Sequence, residues 1–258
     1  MQETFALQVE DNPSYLNFPG EEGKVAYREG IFIGYRYYDK KKMEVLFPFG
    51  HGLSYTTFEY SSMRLSGDTI LDTDGLVVEV DITNTGKCEG AEIVQLYVKS
   101  QKARLIRPEK ELKGFEKINL LPGETDTIRY TLNKRDFSYY DCSNKKWVVE
   151  TGLYEIWIGK SSRNICLKRT VNVISTDALK PSLTGESLVK EWFSWSAAKQ
   201  ALFEVFAQEK MKEQIEAALQ GEHSDRVLNM PLRKLFYFDP KRAERAEEII
   251  EKLLVQMN

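Results

Sequence analysis

The chain has 258 residues, of which 42% are hydrophobic and 29% charged, an ordinary balance for a folded protein with one large core or two small ones. A formal net charge of −3 with both signs mixed leaves no basic face for nucleic acid. No apolar run approaches the ~20 residues that cross a bilayer, which argues against a membrane protein.

From Met1 to Tyr60 the reading is of an irregular, aromatic-rich segment. Met1 to Asp11 lacks the basic and apolar regions of a signal peptide, and the expected location is cytoplasmic. Asn12-Pro13 and Phe18-Pro19-Gly20 mark turns. Ile31, Tyr35 and Tyr38 fall at i, i+4 and i+7, which predicts a short helix with an aromatic face. Lys40-Lys41-Lys42 reads as a solvated turn. Phe47-Pro48-Phe49-Gly50-His51-Gly52 fits neither a regular helix nor a central strand, because Pro lacks an N–H donor and Gly brings backbone freedom. The segment is too short and irregular for a core of its own and reads as a connector that wraps a neighbour.

From Ser61 to Ile174 the pattern changes to period two. Val78, Val80 and Ile82 alternate with Glu79, Asp81 and Thr83, and Asn84-Thr85-Gly86 ends that strand. Val94, Leu96 and Val98 repeat the pattern against Gln95 and Lys99, and Ile128, Tyr130 and Leu132 repeat it after Leu121-Pro122-Gly123. Trp147 to Val149, then Tyr154, Ile156 and Ile158, then Ile165, Leu167, Val171 and Val173 complete the series. Seven or so short strands without an intervening long helix predict a mainly β fold, an immunoglobulin-type β-sandwich.

From Ser175 to Asn258 the period is helical. Thr184 is placed to cap a helix carrying Leu188, Val189, Trp192 and Phe193. A second helix is predicted from Ser196 to about Gln220, ended by Gly221. Asp239-Pro240 reads as N-cap and N1 of a third, with Ala243, Ala246, Ile249, Ile250, Leu253 and Leu254 on one stripe. The expected domains are therefore 1–60, 61–174 and 175–258. Trp192, Phe193 and Trp195 read as packing residues.

Three groups in the first segment carry a resemblance: Tyr27-Arg28-Glu29-Gly30, Gly34-Tyr35-Arg36-Tyr37-Tyr38-Asp39, and Phe47-Pro48-Phe49-Gly50-His51-Gly52-Leu53-Ser54-Tyr55-Thr56. Together and in this order they resemble the end of the α/β-sandwich domain in glycoside hydrolase family 3, the β-glucosidases and relatives. The second segment resembles the fibronectin type III-like domain that follows in many of those enzymes. The stretches concerned are Asn84-Thr85-Gly86 with Gly90, Gln95-Leu96-Tyr97-Val98, Leu112 to Lys117, Leu121-Pro122-Gly123-Glu124 and Gly152 to Ile156. Met230 to Leu235 is similar to a short segment near the C-terminus of some clostridial-type members. The resemblance implies a parent acting on β-linked glucosides or xylosides without a cofactor, and it makes this chain the portion after the catalytic machinery.

Glycoside hydrolysis generally uses two carboxyl groups across the scissile bond. In the family resembled, the nucleophile comes from a (β/α)₈ barrel of about 250 residues, and no stretch here resembles one, so no catalytic residue is assigned. Glu29 reads either as a substrate-facing carboxylate or as a structural one paired with Arg28 or Arg36. With Arg36 and Tyr37, and with Arg104 and Arg107 in the loop from Gln101 to Glu109, it forms the set of candidates for the edge of a substrate cleft. Tyr35, Tyr38, Phe47, Phe49, His51 and Tyr55 are candidates for an interface between domains, with a sugar-stacking platform as the alternative for the aromatic run. Ser54 lacks a GxSxG elbow. Cys88, Cys142 and Cys166 form no CxxC pair, and His51 and His223 lie far apart, so no metal site or cofactor is expected. The expected partners are the catalytic domains of a parent enzyme, with oligosaccharide or a second copy as further possibilities. The leading reading is a non-catalytic accessory portion; an independent carbohydrate-binding module and a helix-mediated assembly domain are the alternatives.

Overall fold

A computed structural model describes residues 1–142, 144–177, 183–221 and 224–257, the side chains of the last two aside. His223 lies outside the described residues. The chain divides into two units, Met1–Ala178 and Leu179–Asn258. Among the described residues all strands fall in the first and the longer helices in the second.

The first unit opens with the irregular segment. Its one α-helix is α1 (Tyr35–Lys41), and Ile31 lies outside it and is exposed, contrary to the periodicity. The reason is Gly34, which takes φ +52 and lets the helix start only at Tyr35. Lys42 closes the helix in the left-handed region, and the three lysines are solvated.

Ten strands follow: β1 (Phe58–Leu65), β2 (Thr69–Leu71), β3 (Leu76–Asn84), β4 (Gly90–Ser100), β5 (Glu111–Leu120), β6 (Thr125–Leu132), β7 (Tyr139–Asp141), β8 (Lys146–Val148), β9 (Gly152–Gly159) and β10 (Ile165–Ile174). A single helical turn, α2 (Lys134–Phe137), joins β6 to β7. The excess over the predicted seven consists of three-residue pieces, β2, β7 and β8, too short to leave a periodicity. One sheet has the order β1-β3-β6 and a second the order β2-β10-β9-β4-β5, with β7 and β8 a separate hairpin. Among the described residues only β2 and β10 run parallel. Val78, Val80 and Ile82 from the first sheet share one core with Val94, Leu96, Ile156, Ile158 and Val171 from the second. Each such side chain, removed from water, contributes about 1.5–3 kcal/mol.

On the solvent side of the first sheet, Arg64 grips Asp81 through two hydrogen bonds of 2.8 Å. Together with the Thr127 hydroxyl this pulls the Asp81 carboxyl down to about 2. A depressed carboxylate stabilises the fold fully above its unfolded value of about 4 and stops doing so as the pH falls through the folded one. Acidification from pH 4 to pH 2 is therefore expected to lower the urea midpoint of the parent chain more steeply than that of Asp81→Asn. Parallel slopes would remove this pair from the acid response.

The second unit contains α3 (Val189–Phe193), α4 (Ser196–Gln208), α5 (Lys212–Gln220), α6 (Ser224–Leu228), α7 (Leu232–Phe236), α8 (Pro240–Ala243) and α9 (Ala246–Met257). Where one helix was predicted from Ser196 to Gln220 there are two, broken where Lys210 adopts φ +55. Gly221 ends α5 in extended backbone and not in a left-handed cap. Thr184 precedes α3 by five positions; its hydroxyl accepts from Glu186 N–H, and the first turn of α3 is held by Glu191, which accepts from Leu188 N–H. Asp239 does cap α8, accepting from Lys241 and Arg242 N–H, but that helix ends at Ala243 and α9 starts afresh. Trp192, Leu202, Phe206, Leu232, Phe236, Ile250 and Leu253 form the core, with Phe193 and Trp195 packed on it. No described helix is long and apolar enough to cross a membrane.

Candidate functional site

Strand alternation puts Leu96 and Ile156 into the core and should leave their neighbours in water. Gln95, Tyr97 and Trp157 are nevertheless buried. Their cover is the segment around α1: Tyr35 lies 4.9 Å from Phe49 and 5.9 Å from Tyr97, ring centre to ring centre, and Trp157 completes the cluster. The Tyr35 hydroxyl accepts from Leu112 N–H at 2.8 Å. The Tyr97 hydroxyl donates to Gln95 Oε1, and Gln95 Nε2 donates to Lys160 carbonyl oxygen at 2.7 Å, so the buried amide is satisfied on both sides. Burial pushes the Tyr97 hydroxyl pKa well up. Gly50, at φ +81, lies flat on Gln95; a Cβ there would come within 2.3 Å of the amide oxygen.

The seam is also charged. Asp39, at the C-terminal end of α1, accepts from Lys110 Nζ at 2.7 Å and from Arg163 Nε at 2.8 Å. Arg163 also donates to Met43 carbonyl oxygen at 2.7 Å. Lys110 sits over the rings of Tyr97 and Trp157. Next to it, Glu111 collects Arg107 at 3.1 Å, Lys113 at 3.4 Å and Arg36 at 3.9 Å. Burial raises the Glu111 carboxyl pKa, but the three cations outweigh it and hold the group below the usual range.

The five cleft-edge candidates fall into three shallow depressions of this unit. Glu29 and Tyr37 share one of about 410 Å³ with Arg28, Lys40 and Lys41. Arg36 and Glu29 line a second of about 530 Å³ with Tyr35, Tyr38 and Phe49. Arg104 and Arg107 line a third of about 320 Å³, which Lys40 also borders. Among the described residues Glu29 pairs with neither Arg28 nor Arg36, and its buried Oε2 has no hydrogen-bond partner. The structural pairing read for it is thus absent, because Arg36 reaches Glu111 instead. Tyr37 accepts from Lys41 Nζ at 3.2 Å. Arg104 is tied to Asp141 and Glu150, and Arg107 lies over Tyr139 while donating to Phe137 carbonyl oxygen. These guanidinium groups brace the loop from Gln101 to Glu109 from below.

The interface candidates divide. Tyr35 and Tyr38 are buried, and Phe49 packs with Tyr35, all within the chain itself. Phe47 stacks on His51 at 5.2 Å and meets Phe5 edge-on. Tyr55 is fully exposed, as are Leu53 and Leu16. Sequence reasoning missed Asp39, Gln95, Tyr97, Lys110, Trp157 and Arg163. The available signal was aromatic: Tyr97 and Trp157 occupy positions that a solvated strand face gives to polar residues. Among the described residues no cluster of His, Cys, Asp and Glu is placed to hold a metal ion.

Residues 92–162 match the family model of the fibronectin type III-like domain. Thermostable β-glucosidase B of Acetivibrio thermocellus is 46% identical over 261 residues, covering 100% of this chain and 34% of that protein. A GH3 β-glucosidase structure from Bifidobacterium adolescentis aligns over 78% of this chain and 29% of its own, with 38% identity and a TM-score of 0.69. The β-glucosidase of Kluyveromyces marxianus in complex with glucose aligns over 67% of this chain and 20% of its own, at 43% identity and a TM-score of 0.62. The chain thus spans between 20% and 34% of the length of these relatives. With its fibronectin type III-like domain and helical C-terminal region, it is matched to the C-terminal part of glycoside hydrolase family 3 β-glucosidases.

Proposed function

We propose that the chain is the non-catalytic accessory portion of a β-glucosidase-like glycoside hydrolase. In this reading residues 1–60 are a remnant of the α/β-sandwich domain and its connector, 61–174 an immunoglobulin-type sandwich and 175–258 a helical extension. The observation that carries the reading is the two-sided character of the first segment. One side is locked onto β4 and β9 through Tyr35 and Phe49, and onto Lys110 and Arg163 through Asp39. The other presents Leu16, Tyr27, Leu53 and Tyr55, each more than four-fifths exposed, and apolar groups so bare call for a covering surface. That surface is the α/β sandwich of the catalytic portion, braced by the seam. The 320 Å³ depression at Arg104 and Arg107, with the loop above it, then edges the substrate cleft.

The purified chain at micromolar concentration is expected to release no chromophore from a β-glucoside above a buffer blank, over hours and across several pH values. Saturable turnover, abolished by a carboxylate substitution, would overturn the reading. In an intact family 3 enzyme carrying this portion, Tyr55→Ala with Leu53→Ala is expected to lower thermal stability and leave the sugar preference unchanged.

A further inference from the structure

The hairpin of β7 and β8 carries side chains that no core of the chain uses. Tyr139 and Val148 point inward and are buried, and the Tyr139 hydroxyl anchors the hairpin from beneath by donating to Glu150 at 2.7 Å. Tyr140 and Trp147 stand directly opposite one another on the outer face, with ring centres 5.5 Å apart. Each is 46% exposed, and neither belongs to a core cluster. The adjacent turn α2 places Arg135 over the Trp147 ring. Among the described residues the Arg135 guanidinium has neither a hydrogen-bond acceptor nor an ion-pair partner. Its neighbour Asp136 is committed to the Asn133 N–H. Arg104, Arg107 and Arg163 of the same unit show the contrast, for each ends on a carboxylate. The Tyr140 hydroxyl and the Trp147 Nε1–H are likewise without a partner among the described residues. Two exposed rings beside unengaged donors, one of them a guanidinium fork, suit a ligand with an apolar ring face, hydroxyl groups and a carboxylate.

We propose that the outer face of this hairpin binds an acidic saccharide, a chain that contains uronic acid residues. The C–H face of the pyranose lies against Trp147 and Tyr140, and its carboxylate takes the free N–H groups of Arg135. A neutral saccharide leaves Arg135 unused, and an acidic peptide offers the two rings no pyranose face. The choice of a saccharide among carboxylate ligands rests on the reading of this chain as a portion of a glycoside hydrolase.

The test uses the full chain and three probes: a short oligogalacturonate, a neutral cello-oligosaccharide of the same length, and a polyglutamate peptide of the same charge. Tryptophan emission is expected to saturate with the oligogalacturonate, with affinity about tenfold or more tighter than for the other two, and the binding to weaken at about 0.5 M salt. Arg135→Gln is expected to bring the acidic and neutral sugars to equal affinity. Trp147→Ala is expected to abolish both the binding and the emission change. Both side chains are exposed, so the circular dichroism spectrum of each variant is expected to match the parent chain. Tyr140→Phe, which removes only a hydroxyl, is expected to weaken binding several-fold with the hairpin intact. Absence of saturation by the oligogalacturonate overturns the proposal, as does equal binding of either other probe, or an Arg135→Gln variant that keeps the preference for the acidic sugar. Turnover of a β-glucoside by the chain, which would overturn the accessory reading, leaves these affinities unchanged, so the two failures are told apart.

Discussion

Asp39→Asn is expected to destabilise the first unit by about 3–5 kcal/mol, the usual cost of removing one partner from a buried ion pair. The Asp39 side chain is 6% exposed and that of Lys110 5%, so water cannot replace the lost charge. The substitution preserves size but leaves an ammonium held between Tyr97 and Trp157 with no counter-ion, and frees Arg163 from α1. Urea unfolding followed by tryptophan fluorescence reads the effect directly. The added change Lys110→Met is expected to restore part of the loss, since it removes the buried ammonium left without a counter-ion while the neutral amide stays beside Arg163. A single variant within about 1 kcal/mol of the parent would show that aromatic packing alone holds the segment to the sheet.

Trp192→Ala is expected to cost about 3–5 kcal/mol in the second unit. The indole is fully buried, and its Nε1 donates to Thr184 carbonyl oxygen at 3.2 Å. Truncation leaves both a cavity among Leu202, Phe206 and Phe236 and an unpaired carbonyl. A helical unit of this size has about 3–5 kcal/mol of net stability at most. The far-UV circular dichroism of the helices should therefore fall sharply, while the strands of the other unit keep their own unfolding transition. Trp192→Phe, which fills part of the space, is expected to lie between. Loss of one shared transition in the alanine variant would mean that the two units unfold together.

What could be read from the chain follows the range of the interaction that shapes it. The core strands β3, β4, β6 and β9 show themselves through alternation because their inward residues share one core. The helices of the second unit also show themselves, but not their breaks. The apolar period runs on through Lys210, and between α8 and α9, where the backbone does not. The second burial of β4 was invisible for a different reason. It depends on contacts between Asp39 and Lys110 or Arg163, far apart in sequence, and no local period encodes them. The candidate residues share this limit: the pairing of Glu29 with Arg28 or Arg36, one of its two readings, does not form, while Arg36 finds Glu111 across the seam. The family motifs located the right segment without saying which of its faces is occupied.

The clasp at α1 also changes what a cut in the chain would mean. Lys40, Lys41 and Lys42 stand exposed at the place where a lysine-directed protease would enter. On one side of that place Tyr35 and Asp39 are fastened to β4, β5 and the β9–β10 turn; on the other Phe49 and Gly50 are fastened to the same sheet. A nick there would leave two pieces that travel together in native buffer and part only in denaturant. Covalent continuity and mechanical attachment are separate properties in this segment, and a stretch of chain that carries no regular core of its own still behaves as a fixed part of the sheet it covers.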